Sequence, residues 1–394
     1  MHIRTALAAL SAALAASALL ALPAQAADRI KIGFLSTLTG PISGISADLK
    51  DGFDLVVSRN GGKLGGLPAE LVVGDDQQNP DTGKQVFDRM VKRDKVDVLT
   101  GVMFTNVMAA VAPTAFANKV FFVNANAGPA DFAGDKCNPY YFGTAWQVES
   151  MDEAMGKYVT EKGYKRVFLL APNFPVGREH LNGFKRMYKE PLAGEVYTKL
   201  GQLDYSVEIG QIRAAKPDAV FVFLFGNMGI NFIKQYHQAG LSSEVPLFGP
   251  GFTFDDDTIR AVGDPIVGSL NASHWNRDFD NPANRRFVAE FEKAYKRPPS
   301  IYAAQGYDAA QLIDAAVRDA GGRIEDKTAF RDALRKANFE SVRGSFAFNA
   351  NQNPVQNLYL RRIEKDAAGR ISNRTERVLL ANHHDPYADQ CRMK

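Results

Sequence analysis

The chain has 394 residues, of which 45% are hydrophobic and 23% are charged, and its formal net charge is +3 at pH 7. This length supports two domains, each with a core of its own. Basic and acidic residues are interspersed, without a basic stripe or interleaved aromatic residues, so we expect no nucleic-acid partner.

Residues 1–26 have the pattern of a cleaved secretory signal peptide. Arg4 forms a short basic region, Ala6 to Leu22 is apolar, and Ala24-Gln25-Ala26 is an A-x-A cleavage site. We therefore predict cleavage after Ala26 and export to the periplasm. The alternative is an N-terminal membrane anchor, which the clean cleavage site disfavours. No other segment approaches the roughly 18–20 apolar residues of a membrane span.

The two cysteines, Cys137 and Cys391, both belong to the predicted mature chain. An even number of cysteines in an exported protein favours a disulfide over a metal site. We expect this bond to pin the C-terminal tail to the loop before Tyr140, the alternative being two free thiols. No metal ion and no cofactor are expected.

The first part of the mature chain alternates strands with helices. Short apolar runs predict strands at residues 29–35, 71–73 and 96–99. A helix follows the Ser36–Ser46 loop, and a second starts at Asn79-Pro80, with asparagine as the cap and proline in the first helical position. This order implies a parallel sheet with helices on both faces.

The stretch Thr100–Pro129 predicts a strand end, a sharp turn at Gly101, a helix, and a second strand ending in a small polar loop. Thr105 or Asn106 is expected at the N-cap of that helix. Backbone N–H groups at such a helix start, together with a hydroxyl, can hold the anionic group of a ligand. We therefore predict that this stretch forms half of a binding cleft.

The same alternation restarts in the middle of the chain. The predicted helices are 151–161, 177–188, 206–214 and 229–239, and the predicted strands are 166–170, 195–199, 219–225 and 246–248. The later elements are helices at 282–295, 302–319 and 328–336 and strands at 346–348 and 358–363. Two successive series of this kind indicate an α/β protein with two similar lobes.

Five segments, in this order, carry the pattern of a known family: IKIGFLSTLTGPISG, NGGKLGGLPAELVVGDDQQNP, TGVMFTNV, DYSVEIGQIRAAKPDAV and PSIYAAQGYDAAQLI. The chain resembles the periplasmic ligand-binding proteins of ABC transporters, of the branched-chain-amino-acid-binding type. The resemblance covers nearly the whole mature chain. It implies two Rossmann-like lobes with parallel central sheets, joined by three crossover segments, with the ligand held between the lobes.

The resemblance also implies lobe boundaries and partners. Lobe one would comprise residues 27–145 and 276–348, lobe two would comprise 146–275 and 358–394, and 349–357 would be the third crossover. Members of the family deliver a small molecule to the permease of an ABC importer in the inner membrane. We expect this chain to do so as a monomer.

The site is predicted both by the resemblance and by the rule that ligands of open α/β sheets bind outside the carboxyl ends of the strands. The loops concerned are 36–46, which contains Ile45, and 101–106, 124–129 and 225–229. In relatives, the turn matching Thr105 and Asn106 holds the ligand carboxylate. The loop matching Asn126, Ala127 and Gly128 holds the other polar head group. We expect the same roles here.

One loop departs from relatives that bind amino acids. Those relatives carry an acidic residue after the strand matching Pro246 to Phe248, which pairs with the ligand ammonium. Here that loop is Gly249-Pro250-Gly251-Phe252, with no acid before Asp255. Burying an ammonium without a counter-charge costs several kcal/mol. Asp255, Asp256 and Asp257 either reach into the cleft or, as the simpler interpretation that we expect, serve only a helix N-terminus. The missing acid makes a free amino acid a doubtful ligand.

In place of the missing acid, aromatic residues occur in or beside the loops predicted to bind the ligand. The expected ligand contacts are Phe104, Trp146, Phe174, Phe225 and Phe252, with Gln147 offering a neutral amide beside Trp146. Phe221 and Phe223 are expected in the core. A ligand with a carboxylate, no ammonium and a flat apolar body fits this set, which predicts an aromatic acid of the benzoate or cinnamate type.

Three other functions compete with this prediction: an enzyme, a ligand sensor for a membrane receptor, and a branched-chain amino-acid or small-amide binder of the same fold. The sequence has no G-x-S-x-G, H-E-x-x-H, Walker or G-x-G-x-x-G motif. The adjacent carboxylates Asp75 and Asp76 are expected to shape a loop. We therefore predict that the chain is not an enzyme.

Overall fold

The computed structural model of the protein describes residues 27–40, 42–126 and 128–393. The predicted signal peptide, residues 1–26, lies outside the described residues. Within the described part of the chain, no helix combines the length and apolar character needed to cross a membrane.

The first lobe is built on a six-stranded sheet in the order β2-β3-β1-β4-β5-β6. Its neighbouring strands run parallel, except that β2 and β3 form an antiparallel hairpin. The strands are β1 (Ile30–Ser36), β2 (Lys63–Leu64), β3 (Leu67–Asp75), β4 (Val98–Thr100), β5 (Phe121–Asn124) and β6 (Tyr141–Gly143). β4, β5 and β6 are fully buried, because strands covered by helices on both faces are apolar throughout.

The helices between these strands start and end where local chemistry favours it. They are α1 (Ser43–Arg59), α2 (Pro80–Arg89), α3 (Thr105–Ala117) and α4 (Ala130–Ala133). The predicted cap of α2 is confirmed, since the Asn79 side chain accepts hydrogen bonds from the Asp81 and Thr82 N–H groups. A five-residue π-helical turn, Met90–Asp94, extends α2.

The adjacent carboxylates after β3 shape a loop, as predicted. Asp76 Oδ1 accepts hydrogen bonds from Thr37 Oγ1 at 2.6 Å and from the Gln78 N–H at 2.8 Å. Asp75 Oδ1 accepts one from the Leu38 N–H at 2.9 Å. These bonds tie the loop after β1 to the loop after β3, which holds the entrance of the cleft in place.

The second lobe is built on an eight-stranded sheet. Its order is β12-β13-β11-β10-β9-β7-β8, with β14 paired to β13. The strands from β7 to β11 run parallel, and β12, β13 and β14 add an antiparallel edge. They are β7 (Val167–Pro172), β8 (Leu192–Thr198), β9 (Ala219–Val222), β10 (Leu247–Pro250), β11 (Leu270–Ser273), β12 (Ala347–Phe348), β13 (Pro354–Lys365) and β14 (Ile371–His383).

The remaining helices divide between the lobes. They are α5 (Ser150–Glu161), α6 (Pro175–Met187), α7 (Ser206–Ala215), α8 (Asn227–Gln238), α9 (Asp256–Val262), α10 (Pro282–Tyr295), α11 (Ile301–Asp319) and α12 (Lys327–Lys336). α5 packs on α6 in the second lobe, whereas α11 packs on α1 in the first lobe. Within the described residues, the chain therefore passes between the lobes three times: after β6, after β11 and between α12 and β12.

The predicted disulfide is present. Cys137 Sγ and Cys391 Sγ lie 2.08 Å apart, and the bond joins residues 254 positions apart in the chain. It fastens the tail after the short turn Ala388–Gln390 to the loop that follows α4. This is the attachment that the cysteine count predicted.

Candidate functional site

A cavity of about 170 Å³ lies between the two lobes, at the carboxyl ends of β4, β5, β9 and β10. It opens into a wider groove of about 1270 Å³. Cavity and groove share lining residues, among them Ile42, Phe104, Thr105, Phe174 and Phe225. Ligands of open α/β folds bind at this edge of the sheet, so the cavity is the candidate site.

The start of α3 forms one side of the cavity. The helix begins at Thr105, and Phe104 occupies the N-cap position with an extended backbone. The prediction that Thr105 or Asn106 is the N-cap is therefore wrong by one or two positions. Because Phe104 has no oxygen with which to cap the helix, the N–H groups of the first turn are available to an anion beside the Thr105 hydroxyl.

The loop after β5 is tied to this helix start. Asn126 Nδ2 donates to the Met103 carbonyl oxygen at 2.7 Å, and both residues line the cavity. Ala127 lies outside the described residues. Gly128 is absent from the cavity lining: its carbonyl accepts from the Val148 N–H, and a Cβ at this position would lie 2.5 Å from the Trp146 carbonyl oxygen. Gly128 thus lets the loop pack closely against the first crossover.

Aromatic side chains form the other walls. The Trp146 ring packs on the Phe252 ring with centroids 4.4 Å apart, and Phe252 lies 6.2 Å from the ring of Tyr302. Phe174 and Phe225 meet edge to face at 6.4 Å. All five residues line the cavity, as does Ile45. These faces can bury a flat apolar ligand body.

Three predicted placements need correction. Asn106 lines the wider groove and is not part of the cavity lining. Gln147 is buried away from the cavity, because its Oε1 accepts from the Glu149 N–H at 3.0 Å near the start of α5. Phe223, which we expected in the core, is buried but lines the cavity, because β9 ends one residue earlier.

Two carboxyl groups from the loop and first turn of α9 also line the cavity, those of Asp255 and Asp257. Asp255 is the N-cap of α9, as the sequence predicts, with its Oδ1 accepting from the Thr258 N–H at 2.8 Å. The expectation that these acids serve only the helix is therefore wrong. Burial raises the pKa of Asp255 to about 7, so near neutral pH this carboxyl is a weak counter-charge.

The raised pKa of Asp255 predicts a pH-dependent stability. The unfolded value is 3.8 and the folded value about 7, so between these pH values the folded chain keeps a proton that the unfolded chain releases. The contribution of Asp255 to stability is present below about pH 4 and is lost as the pH rises through 7, with a slope of at most about 1.4 kcal/mol per pH unit.

We expect Asp255→Asn to keep the helix cap but to remove this titration. Urea unfolding at pH 4.5, 6 and 7.5 should show a shallower fall in the free energy of unfolding than in the wild type. The matched control is Asp326→Asn, at the exposed N-cap of α12, which should leave the pH dependence unchanged. An identical pH dependence in Asp255→Asn and the wild type would contradict this account.

A histidine from α6 completes the lining. The ring of His180 stacks on Phe223 with centroids 3.5 Å apart, and its Nδ1 lies 2.7 Å from Asp152 Oδ2 on α5. Asp152 is fully buried and His180 is 3% exposed. The second lobe therefore offers titratable groups to the cavity, whereas the first lobe offers a helix N-terminus.

The family model described as periplasmic binding protein matches residues 29–369 of the chain. The chain belongs to the periplasmic binding protein family. Its members and the relatives below are binding proteins and not enzymes, which confirms that part of the sequence prediction.

Three relatives of this periplasmic binding protein differ in what their names say of the ligand. Leu/Ile/Val-binding protein homolog 6 of Brucella melitensis is 28% identical over 374 residues, covering 92% of this chain and 95% of the homologue. A solute-binding protein of an ABC transporter from R. palustris, in complex with benzoate, is 30% identical with a TM-score of 0.86, covering 93% and 100% of the two chains. A second such protein, from Rhodopseudomonas palustris BisB5, is in complex with 3,4-dihydroxy benzoic acid. It is 28% identical with a TM-score of 0.83, and the match covers 91% of this chain and 99% of that chain.

Several lining residues of this periplasmic binding protein escaped the sequence prediction. Tyr302 lies in the first turn of α11, in the fifth family segment, and its aromatic side chain beside a helix cap was the available signal. Val176 and His180 lie one helical turn apart on α6 and both line the cavity. No local pattern marks which face of α6 meets the cavity.

Proposed function

We propose that this periplasmic binding protein captures an aromatic carboxylic acid of the benzoate or cinnamate type between its lobes. It delivers that acid to the inner-membrane permease of an ABC importer. The observation that carries the proposal is one cavity that joins the uncapped start of α3 to a wall of aromatic rings. The relatives bound to benzoate and to 3,4-dihydroxy benzoic acid support it, and the signal-peptide pattern of residues 1–26 supports a periplasmic location.

Both halves of the cavity contribute to the binding energy of an aromatic acid. Burying one ring against Trp146 and Phe252 is worth about 2–3 kcal/mol. Each charge-assisted hydrogen bond from the first turn of α3 or the Thr105 hydroxyl to the carboxylate adds about 1.5–3 kcal/mol. Two or three such bonds and the ring together reach roughly the 8 kcal/mol of micromolar binding when the walls are preorganised.

A branched-chain amino acid is the second candidate ligand. Asp255 and Asp257 line the cavity and can face an ammonium group, and a homologue is named for Leu/Ile/Val binding. Against this, Asp255 already caps α9 and its raised pKa keeps part of it uncharged near pH 7. The cavity walls also offer more aromatic surface than an aliphatic side chain would contact, so we rank the aromatic acid first.

A thermal-shift panel on the mature chain separates the two ligand classes. It compares benzoate, 4-hydroxybenzoate and cinnamate with leucine, isoleucine, valine and urea. A ligand at a hundred times its dissociation constant stabilises the folded state by about 2.7 kcal/mol, so the aromatic acids should raise the midpoint. A shift with leucine and none with any aromatic acid would sink the proposal.

The carboxylate anchor is tested by Thr105→Val, which removes one hydroxyl donor at the start of α3. We expect aromatic-acid binding to weaken by about 1–3 kcal/mol, measured by isothermal titration calorimetry, while the unfolding midpoint of the free protein stays unchanged. Thr328→Val, in the exposed first turn of α12, is the matched control and should bind as the wild type does. Unchanged affinity in Thr105→Val would place the anchor elsewhere.

A further inference from the structure

His180 is held in one orientation from two sides. Its ring stacks on Phe223 with centroids 3.5 Å apart and an interplanar angle of 22°, and its Nδ1 is fixed by Asp152 Oδ2 at 2.7 Å. A ring that is stacked and hydrogen-bonded cannot turn its second nitrogen away. The remaining freedom of His180 is therefore small, and Nε2 points in a fixed direction.

The second nitrogen of His180 is not sealed from the cavity. Among the described residues Nε2 has no hydrogen-bond partner, yet it is not one of the polar atoms sealed from solvent, and the residue lines the cavity. His274 gives the contrast, since both of its ring nitrogens are sealed without a partner and it is not part of the cavity lining. A polar nitrogen left open in an apolar cavity calls for a partner from the ligand.

Nε2 carries a hydrogen whenever the pair of His180 and Asp152 holds its shared proton. Burial raises the pKa of Asp152 well above its usual range and lowers the pKa of His180 to about 3, so the shared proton rests on Asp152 and is donated to Nδ1. The neutral imidazole then carries its own hydrogen on Nε2. Transfer of the shared proton to the ring would leave Nε2–H in place. With the shared proton in place, His180 is therefore a hydrogen-bond donor toward the cavity.

We infer that His180, positioned by Asp152, binds an uncharged oxygen substituent on the ring of the bound acid, so that hydroxy-substituted aromatic acids are the preferred ligands. This inference rests on the proposed function, which places the carboxylate at the start of α3 in the first lobe. His180 belongs to the second lobe and can reach a different end of the same molecule.

The surrounding charges favour a hydroxyl over a second carboxylate as the partner of His180. Asp255 and Asp257 line the same cavity, and Glu179, next to His180 on α6, lines the adjoining groove. In their ionised form these carboxyl groups repel a second anion. A phenolic hydroxyl accepts from Nε2–H and still has a hydrogen of its own, for which the Asp255 carboxyl is an acceptor in the same cavity.

The test compares 4-hydroxybenzoate with benzoate by isothermal titration calorimetry. The variant His180→Phe keeps a ring on Phe223 but removes the N–H donor. We expect the wild type to prefer 4-hydroxybenzoate, and in the variant the ratio of the 4-hydroxybenzoate affinity to the benzoate affinity should fall by about tenfold to a hundredfold. His237→Gln, at an exposed histidine on α8, is the matched control and should retain the preference.

A second measurement needs no variant. In wild-type protein with ¹⁵N-labelled histidine, 4-hydroxybenzoate should shift the Nε2 resonance of His180, and benzoate should not. Equal losses for both acids in His180→Phe, unchanged affinities for both, or no difference between the two acids at Nε2 would overturn the role of His180 while the aromatic-acid function stands. Failure of the wild type to bind either acid would overturn the proposed function itself and, with it, this inference.

Discussion

Gly306→Ala is expected to destabilise the protein by about 3 kcal/mol or more, measured as the free energy of unfolding in urea. A Cβ at Gly306 on α11 would overlap the carbonyl oxygen of Leu49 on α1, and a Cβ at Gly52 on α1 would overlap the carbonyl oxygen of Ala303 on α11. The two helices thus approach backbone to backbone. Because backbone atoms cannot rotate away as a side chain can, the helices must separate to admit even one methyl group.

The same substitution should weaken ligand binding. Ile45 lies in the first turn of α1 and Tyr302 in the first turn of α11, and both line the cavity. Separating the helices therefore moves two cavity walls. The control is Gly210→Ala in the exposed face of α7, where a Cβ meets no atom within 4 Å. We expect it to stabilise the protein by about 0.5–1 kcal/mol, and equal effects at the two glycines would contradict the packing argument.

Asp308→Ala is expected to cost about 3–5 kcal/mol, because it leaves a buried guanidinium without its counter-charge. Asp308 on α11 accepts hydrogen bonds from Arg343 Nε at 2.9 Å and from the Val342 N–H at 3.0 Å, and both side chains of the pair are at most 3% exposed. Arg343 Nη1 also donates to the Ala145 carbonyl oxygen and to Gln356 Oε1. The pair therefore ties the first crossover and β13 to the first lobe.

A double-mutant cycle distinguishes an unpaired charge from simple loss of packing. Asp308→Ala combined with Arg343→Met should cost less than the sum of the two single substitutions, since the uncompensated charge is then gone. Asp280→Ala, which removes an exposed ion pair with Arg285, is the control and should cost less than about 1 kcal/mol. Strictly additive losses in the buried pair would show that charge burial is not the cause.

The part of the fold that follows from local chemistry was predictable. The helix Pro282–Tyr295 has the predicted bounds, because Asn281 caps its start and Pro282 occupies its first position. The strand Ile371–His383 was missed, because it lies at the antiparallel edge, where one row of residues faces solvent and carries charges in place of an apolar pattern. Propensity and capping act over a few neighbours, so they locate elements in the chain whenever packing does not override them.

The candidate site divides in the same way. The sequence alone predicted the cleft between two α/β lobes, the approximate start of α3, the aromatic character of the ligand contacts and the disulfide. Only the tertiary structure decided that Gln147 turns away to bond near the start of α5, that Asp255 reaches the cavity while capping α9, and that His180 is aimed there by Asp152. The direction of a side chain depends on partners far away in sequence, 28 residues in the case of Asp152 and His180. No local pattern encodes such a pairing, so the polar half of the site emerges only when α5 and α6 pack together.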